Sequence, residues 1–187
     1  MEIIDNFIPE KEFTELQEQV LSKFFPWFYL ENITGNINPN YTDSSGFYHS
    51  VYNKITGTES RTVEIFTPLF KALETIGYTS DSLSVLRLGL LIPSVTKKAG
   101  DYMIPHIDIQ DKHYDTALLY IDDSDGDTVF FNEFYDGTTI DNYTVKERVS
   151  PKKNRLVLFD GFQYHAATCP VKSQRRIVLN INLLPRK

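Results

Sequence analysis

Arg175-Arg176-Ile177-Val178-Leu179-Asn180-Ile181-Asn182 is a strand-like run carrying a basic pair and two amides among β-branched and leucine side chains. Neighbours on a strand face opposite ways, so only one of Arg175 and Arg176 can point into a barrel. If Arg176 does, then Val178, Asn180 and Asn182 point inward with it, and buried amides need hydrogen-bond partners that a purely apolar core lacks. Working outward from this run, the period-two pattern begins at Leu83 and recurs over 83–91, 102–109, 114–121, 127–133, 142–147, 154–159, 163–168 and 175–184. About eight strands at this spacing predict a mainly β fold, a double-sheet jelly roll of the cupin-like kind with flanking helices.

The region before Leu83 reads differently. Met1 to Ile8 is a short strand, and Pro9 opens a helix over 10–24 whose apolar stripe is Phe13, Leu16, Val20 and Phe24. A second helix is expected over Ser60–Ile76, kinked or restarted at Pro68. Between them, Glu31–Asn53 lacks periodicity and is rich in Asn, Ser, Gly and Tyr, which predicts a loop. Its Tyr41, Phe47, Tyr48 and Tyr52 suit a substrate entrance that becomes more ordered on binding. All 187 residues fit one domain, with a helical part over about 1–80 and a jelly-roll core over about 83–185.

Composition narrows the function. A net charge of −6 with scattered basic residues argues against a nucleic-acid partner. The single Cys169 excludes an intramolecular disulfide, no secretory leader pattern opens the chain, and the apolar run 83–93 is far too short to span a bilayer. A cytoplasmic protein without a membrane partner is expected.

Chemistry concentrates in three places. His106 and Asp108, at i and i+2, share one strand face, and His165 follows 57 residues after the aspartate. Two imidazoles and one carboxylate form a facial triad that leaves adjacent positions of Fe(II) open to an organic chelate and dioxygen. Zinc accepts similar donors, so a hydrolase on the same barrel stays open, as does a noncatalytic jelly-roll binding module.

His-x-Asp, a long gap, His, then Arg resembles the Fe(II)/2-oxoglutarate-dependent dioxygenases, in particular the small prolyl-4-hydroxylase-like branch. Asp125-Gly126-Asp127-Thr128-Val129-Phe130 is similar to that branch's Gly-Gly-Glu-Thr-x-Phe segment. Pro151-Lys152-Lys153-Asn154-Arg155-Leu156-Val157-Leu158-Phe159 is similar to its Pro-x-x-Gly-x-Leu-x-x-Phe strand. The resemblance covers about residues 83–185 and implies a double-stranded β-helix. It also implies Fe(II) on His106, Asp108 and His165, and 2-oxoglutarate and O2 as co-substrates. The activity implied is hydroxylation of a C–H bond in a prolyl-like peptide residue or a small metabolite, with release of succinate and CO2.

Counted from Pro170, the implied carboxylate anchor is Arg176; counted from His165 it is Arg175. Tyr120 matches the tyrosine that shares the carboxylate in relatives, and Asn180 is expected in the same pocket. Two departures stand out: Met103 occupies the place of the aromatic before the first histidine, and Leu88 that of a tyrosine after Arg87. His49 is a further candidate for substrate contact, whereas His113 reads as a solvated turn residue and Cys169 as a small core side chain.

Overall fold

The structure, a computed structural model, describes residues 1–35, 40–41, 43–94, 97–138 and 142–186. In chain order the elements are β1 (Glu2–Ile4), α1 (Glu10–Val20), β2 (Phe28–Leu30), β3 (Gly46–Asn53), β4 (Thr58–Glu59), α2 (Thr67–Thr75), β5 (Leu83–Leu91), β6 (Asp115–Tyr120), β7 (Thr128–Phe134), β8 (Val145–Val149), β9 (Leu156–Asp160), β10 (Gln163–Ala167) and β11 (Arg176–Leu183). The large sheet runs β1-β9-β6-β11-β5-β3-β2, with β4 on β3, and the small sheet runs β10-β7-β8. Isolated bridges Tyr102↔Thr168 and His106↔His165 lay residues 102–106 along the free side of β10. Two antiparallel sheets closed in this way form a jelly roll.

Alternation decides what each face buries. In β11, Ile177, Leu179, Ile181 and Leu183 join Leu86, Leu88, Ala117 and Leu119 beneath the helices, where Phe13, Leu16, Leu69 and Leu73 meet them. Each such side chain removed from water stabilises the fold by roughly 1.5–3 kcal/mol. The opposite face turns toward the small sheet, where Leu118, Tyr120, Val157, Phe159 and Val178 pack on Phe130 and Val149. The site lies in this inter-sheet space, next to the apolar plug.

Several sequence boundaries move. The first helix stops at Val20, and Phe24 is 83% exposed while Phe25 takes the core position. The second begins as a 3₁₀ turn, Val63–Phe66, and becomes α-helical at Thr67, with Pro68 in the first turn where its missing N–H costs nothing. The stretch predicted as loop contains β3, which pairs with β5 from Phe47↔Leu90 onward and turns Tyr48 to the cavity wall. Conversely, the expected strand 102–109 is reduced to two bridges, because Pro105 cannot donate to a ladder. The strand expected at 142–147 is seen at Val145–Val149.

Candidate active site

His106 and His165 are locked opposite each other by reciprocal backbone hydrogen bonds of 2.9 and 3.1 Å, which bring their ring centroids to 4.7 Å. Nδ1 of His106 lies 2.9 Å from the Ile104 carbonyl and Nδ1 of His165 3.2 Å from the Gln163 carbonyl. With Nδ1–H committed to a carbonyl in each ring, both Nε2 lone pairs are free to face a metal. One ligand atom from each of His106, Asp108 and His165 falls within 4.8 Å of the others. Burial, with His106 beside it, pushes the His165 pKa down to about 4, so its ring is neutral and ready to ligate at physiological pH. Burial opposes ionisation of Asp108, but Arg87, both histidines and Asn182 overcome it and hold the carboxyl well below its ordinary range. Two imidazoles and a carboxylate, oriented by fixed partners, fit a divalent ion.

Asp108 sits in a cage of donors. Asn180 Nδ2 reaches Oδ1 and Oδ2 at 3.1 and 3.2 Å, Asn182 Nδ2 reaches Oδ2 at 3.1 Å, and an Arg87 Nη2–H donates to Oδ1. The two amides of β11 therefore point inward, and their partner is a candidate metal ligand. Asn180 lines the cavity, as expected, with its amide donating to Asp108 and its Oδ1 buried without a partner among the described residues.

Arg176 also points inward, whereas Arg175 turns out to Asp122, with Nε donating at 2.7 Å. Only 6% exposed, Arg176 donates from Nε to the Gly126 carbonyl at 2.7 Å and from Nη2 to Thr128 Oγ1 at 2.8 Å, and lies over the Tyr120 ring. The segment similar to Gly-Gly-Glu-Thr thus serves as its seat. A Cβ on Gly126 would stand 2.9 Å from Arg176 Cδ and 2.8 Å from the Thr168 carbonyl, so this position requires glycine. No carboxylate pairs with Arg176 among the described residues. Such a buried, unpaired guanidinium is costly unless an anion joins it.

A cavity of about 160 Å³ connects the two ends and is walled by Leu118, Val178, Met103, Thr128, His106 and His165 among others. Tyr120 stands one layer behind it, its hydroxyl 2.7 Å from Thr128 Oγ1, so Thr128 occupies the wall where the sequence placed Tyr120. Thr128 and Arg87 are the residues the sequence reading missed. The alternation of β5 around Leu86 and Leu88 already turns Arg87 inward, and for the same reason the Leu88 side chain joins the core under the helices. Met103 faces the cavity, while Tyr102 packs outside on Phe131.

The remaining candidates divide between wall and scaffold. His49 does not face the cavity: it is buried on the helix side, Nδ1 on the Pro26 carbonyl at 2.8 Å and Nε2 on Ser60 and Thr62 at 2.9 Å. His113 lies near the surface against Asp160 at 2.9 Å. Cys169 packs with Leu91 and Met103. From the 31–53 segment, Ile33, Thr34 and Tyr48 reach the cavity wall; residues 36–39 and 42 of that segment lie outside the described residues.

No protein-family profile and no curated protein matches the sequence. Solved structures do match. A prolyl hydroxylase from Trichoplax adhaerens, in complex with a hypoxia inducible factor peptide fragment, is 17% identical; the match covers 97% of this chain and 82% of that one at a TM-score of 0.62. A Pseudomonas putida prolyl-4-hydroxylase is 13% identical over 98% and 92%, TM-score 0.53. The epimerase SnoN of nogalamycin biosynthesis, whose structure holds Fe3+ and α-ketoglutarate, is 13% identical over 97% and 77%, TM-score 0.58. From end to end, the chain has the fold of the 2-oxoglutarate-dependent Fe(II) oxygenases, with prolyl hydroxylases among the proteins it is similar to.

Proposed function

We propose that the protein is an Fe(II)- and 2-oxoglutarate-dependent oxygenase that hydroxylates a C–H bond. One observation carries the reading: Arg176, a buried guanidinium without a carboxylate partner among the described residues, shares one cavity with the donors of His106, Asp108 and His165. A zinc hydrolase does not need that cation, whereas a dicarboxylate chelated at the metal does.

In this reading the histidines and Asp108 hold the metal, and Arg176 binds the far carboxylate of 2-oxoglutarate. Thr128, braced by Tyr120, orients the guanidinium, while Leu118 and Val178 keep water from the chelate. A metal held there would supply the coupled oxidation of substrate and 2-oxoglutarate by O2, with one oxygen atom going to the substrate as hydroxyl, the other to succinate, and the C1 carboxylate lost as CO2. The substrate we infer is a peptide residue, prolyl first, or a small metabolite. The peptide in the Trichoplax complex supports the former, and the net charge of −6 speaks against nucleic acid.

The test is conversion of 2-oxoglutarate to succinate by the purified protein, with and without proline-containing peptides. Turnover that requires Fe(II) and O2 and disappears in Asp108→Ala supports the proposal. Metal-bound protein that never consumes 2-oxoglutarate under any of these conditions contradicts it.

A further inference from the structure

The cavity carries a second cation. Arg87 lies on the inner face of β5, directly across from Asn180 of β11 and Ser50 of β3. Its side chain is 44% exposed, and among the described residues its one ion-pair partner is Asp108, itself only 2% exposed. Arg176 pairs with Leu91 in the same ladder, four residues further along β5. At about 3.3 Å per residue the two guanidinium-bearing positions are roughly 13 Å apart, with Arg87 at the metal end.

Charge decides what Arg87 is for. The described wall of the cavity contains two arginines and no carboxylate beyond the ligand Asp108 touching Arg87. Asp127, whose charge acts on Arg176 without a direct contact, accepts from Ser150 Oγ at 2.8 Å and does not line the cavity. A divalent metal and two guanidiniums against one carboxylate leave three positive charges. Doubly charged 2-oxoglutarate removes two, so one positive charge stays uncompensated in a partly dry site. There it attracts an anion far more strongly than in water. With a divalent ion opposite Asp108 supplying the counter-charge, and Asn180 and Asn182 donating to its oxygens, the carboxylate does not need Arg87 as well. Arg87 is half-exposed and has further N–H groups to offer, in the fork geometry that suits a carboxylate. Tyr48, two residues along β3 from Ser50, and Leu30 supply an apolar flank on the same side.

We propose, on the basis of the oxygenase reading above, that the primary substrate carries a carboxylate held by Arg87 at the metal end of the cavity, beside the C–H bond to be oxidised. This carboxylate belongs to a free amino or other organic acid, or to an acidic residue next to the target in a peptide.

The test uses full-length protein loaded with Zn(II) and 2-oxoglutarate and labelled with 15N-arginine. The Arg87 Nε–H signal is identified by its loss in Arg87→Gln. Propionate, phenylacetate and N-acetylglycine are titrated against their primary amides. At least one acid is expected to shift that signal with about tenfold tighter binding than its amide. In Arg87→Gln labelled with 15N-asparagine, the same acid should lose that advantage in perturbing the neighbouring Asn180 amide. Equal responses to acid and amide, or no response to any acid, overturn the proposal. So does a signal that moves fully with 2-oxoglutarate alone, together with a tenfold loss of 2-oxoglutarate affinity in Arg87→Gln, which would assign the guanidinium to the co-substrate. Failure of the oxygenase reading is seen separately, as absence of any 2-oxoglutarate binding; the acid–amide comparison can still be read on the metal-loaded protein.

Discussion

Asn182 Nδ2 donates to Oδ2 of Asp108 at 3.1 Å and to Thr116 Oγ1 at the same distance, tying a candidate metal ligand to the large sheet across 74 residues of chain. A carboxylate held this way keeps its orientation before the metal arrives. Partners of this kind are worth about 10- to 100-fold in metal affinity. Asn182→Ala is therefore expected to weaken Fe(II) or Mn(II) binding by that factor while leaving the thermal unfolding of metal-free protein within a few degrees. Calorimetric titration reads the first and a thermal melt the second; unchanged metal affinity would mean that Asp108 is positioned by Arg87 and Asn180 alone.

The opposite orientations of Arg175 and Arg176 give a paired prediction. Arg176→Ala should raise the 2-oxoglutarate requirement about ten- to a hundredfold, since a charge-assisted pair in a partly dry pocket is worth roughly 1.5–3 kcal/mol. Arg175→Ala loses only a partly exposed contact with Asp122 and should change it little. Gly126→Ala, by crowding Arg176 Cδ, should reproduce the Arg176 defect with metal binding intact. Reversed effects of the two arginine variants would contradict the strand phase.

This pair also marks how far the sequence could be read. Period-two alternation with inward amides located β11, and the spacing His106, Asp108, His165 located donors that the structure brings within reach of one ion. Sequence could not reveal that Thr128 screens Tyr120 from the cavity, because both lie on inward-facing strands and only the depth of packing separates them. Nor could composition alone show that Gly46–Asn53 is a strand. Its pairing depends on β5, more than thirty residues downstream, and on a shift in register between Ser50 and Tyr52. His49 was ambiguous for the same reason: one step along that strand exchanges cavity for core.

Asn154 adopts φ +59° at the place where the resembling strand motif has glycine. Its side chain accepts from Ile8 N at 3.0 Å and donates to Ile8 O at 2.7 Å, fastening β1 and the start of α1 to β9. Alanine there loses both bonds and strains the left-handed conformation, for a destabilisation of about 3 kcal/mol; glycine removes the strain and should lose about 2. Urea unfolding of the two variants checks the order, and an alanine variant as stable as the glycine one would show that the strain is not real.

Burial lowers the His49 pKa below its unfolded value of 6.5, against the opposing pull of the Pro26 carbonyl. The folded state then binds fewer protons than the unfolded one below pH 6.5. The stability contributed by neutral His49 is present above that pH and is lost as pH falls through it. Melting temperatures of wild type should drop between pH 7.5 and 5.5 more steeply than those of His49→Gln, which starts lower and changes less. Parallel curves would place the pH dependence elsewhere.

The central claim is that one cavity holds Fe(II) on His106, Asp108 and His165 while Arg176 holds the far end of 2-oxoglutarate. Anaerobic titration of the Fe(II)-loaded protein with 2-oxoglutarate tests it most directly. The account predicts a weak visible metal-to-ligand charge-transfer band that saturates at one equivalent, is absent in Asp108→Ala, and needs about ten- to a hundredfold more 2-oxoglutarate in Arg176→Ala. Wild-type protein that binds Fe(II) yet develops no band at any 2-oxoglutarate concentration would contradict it.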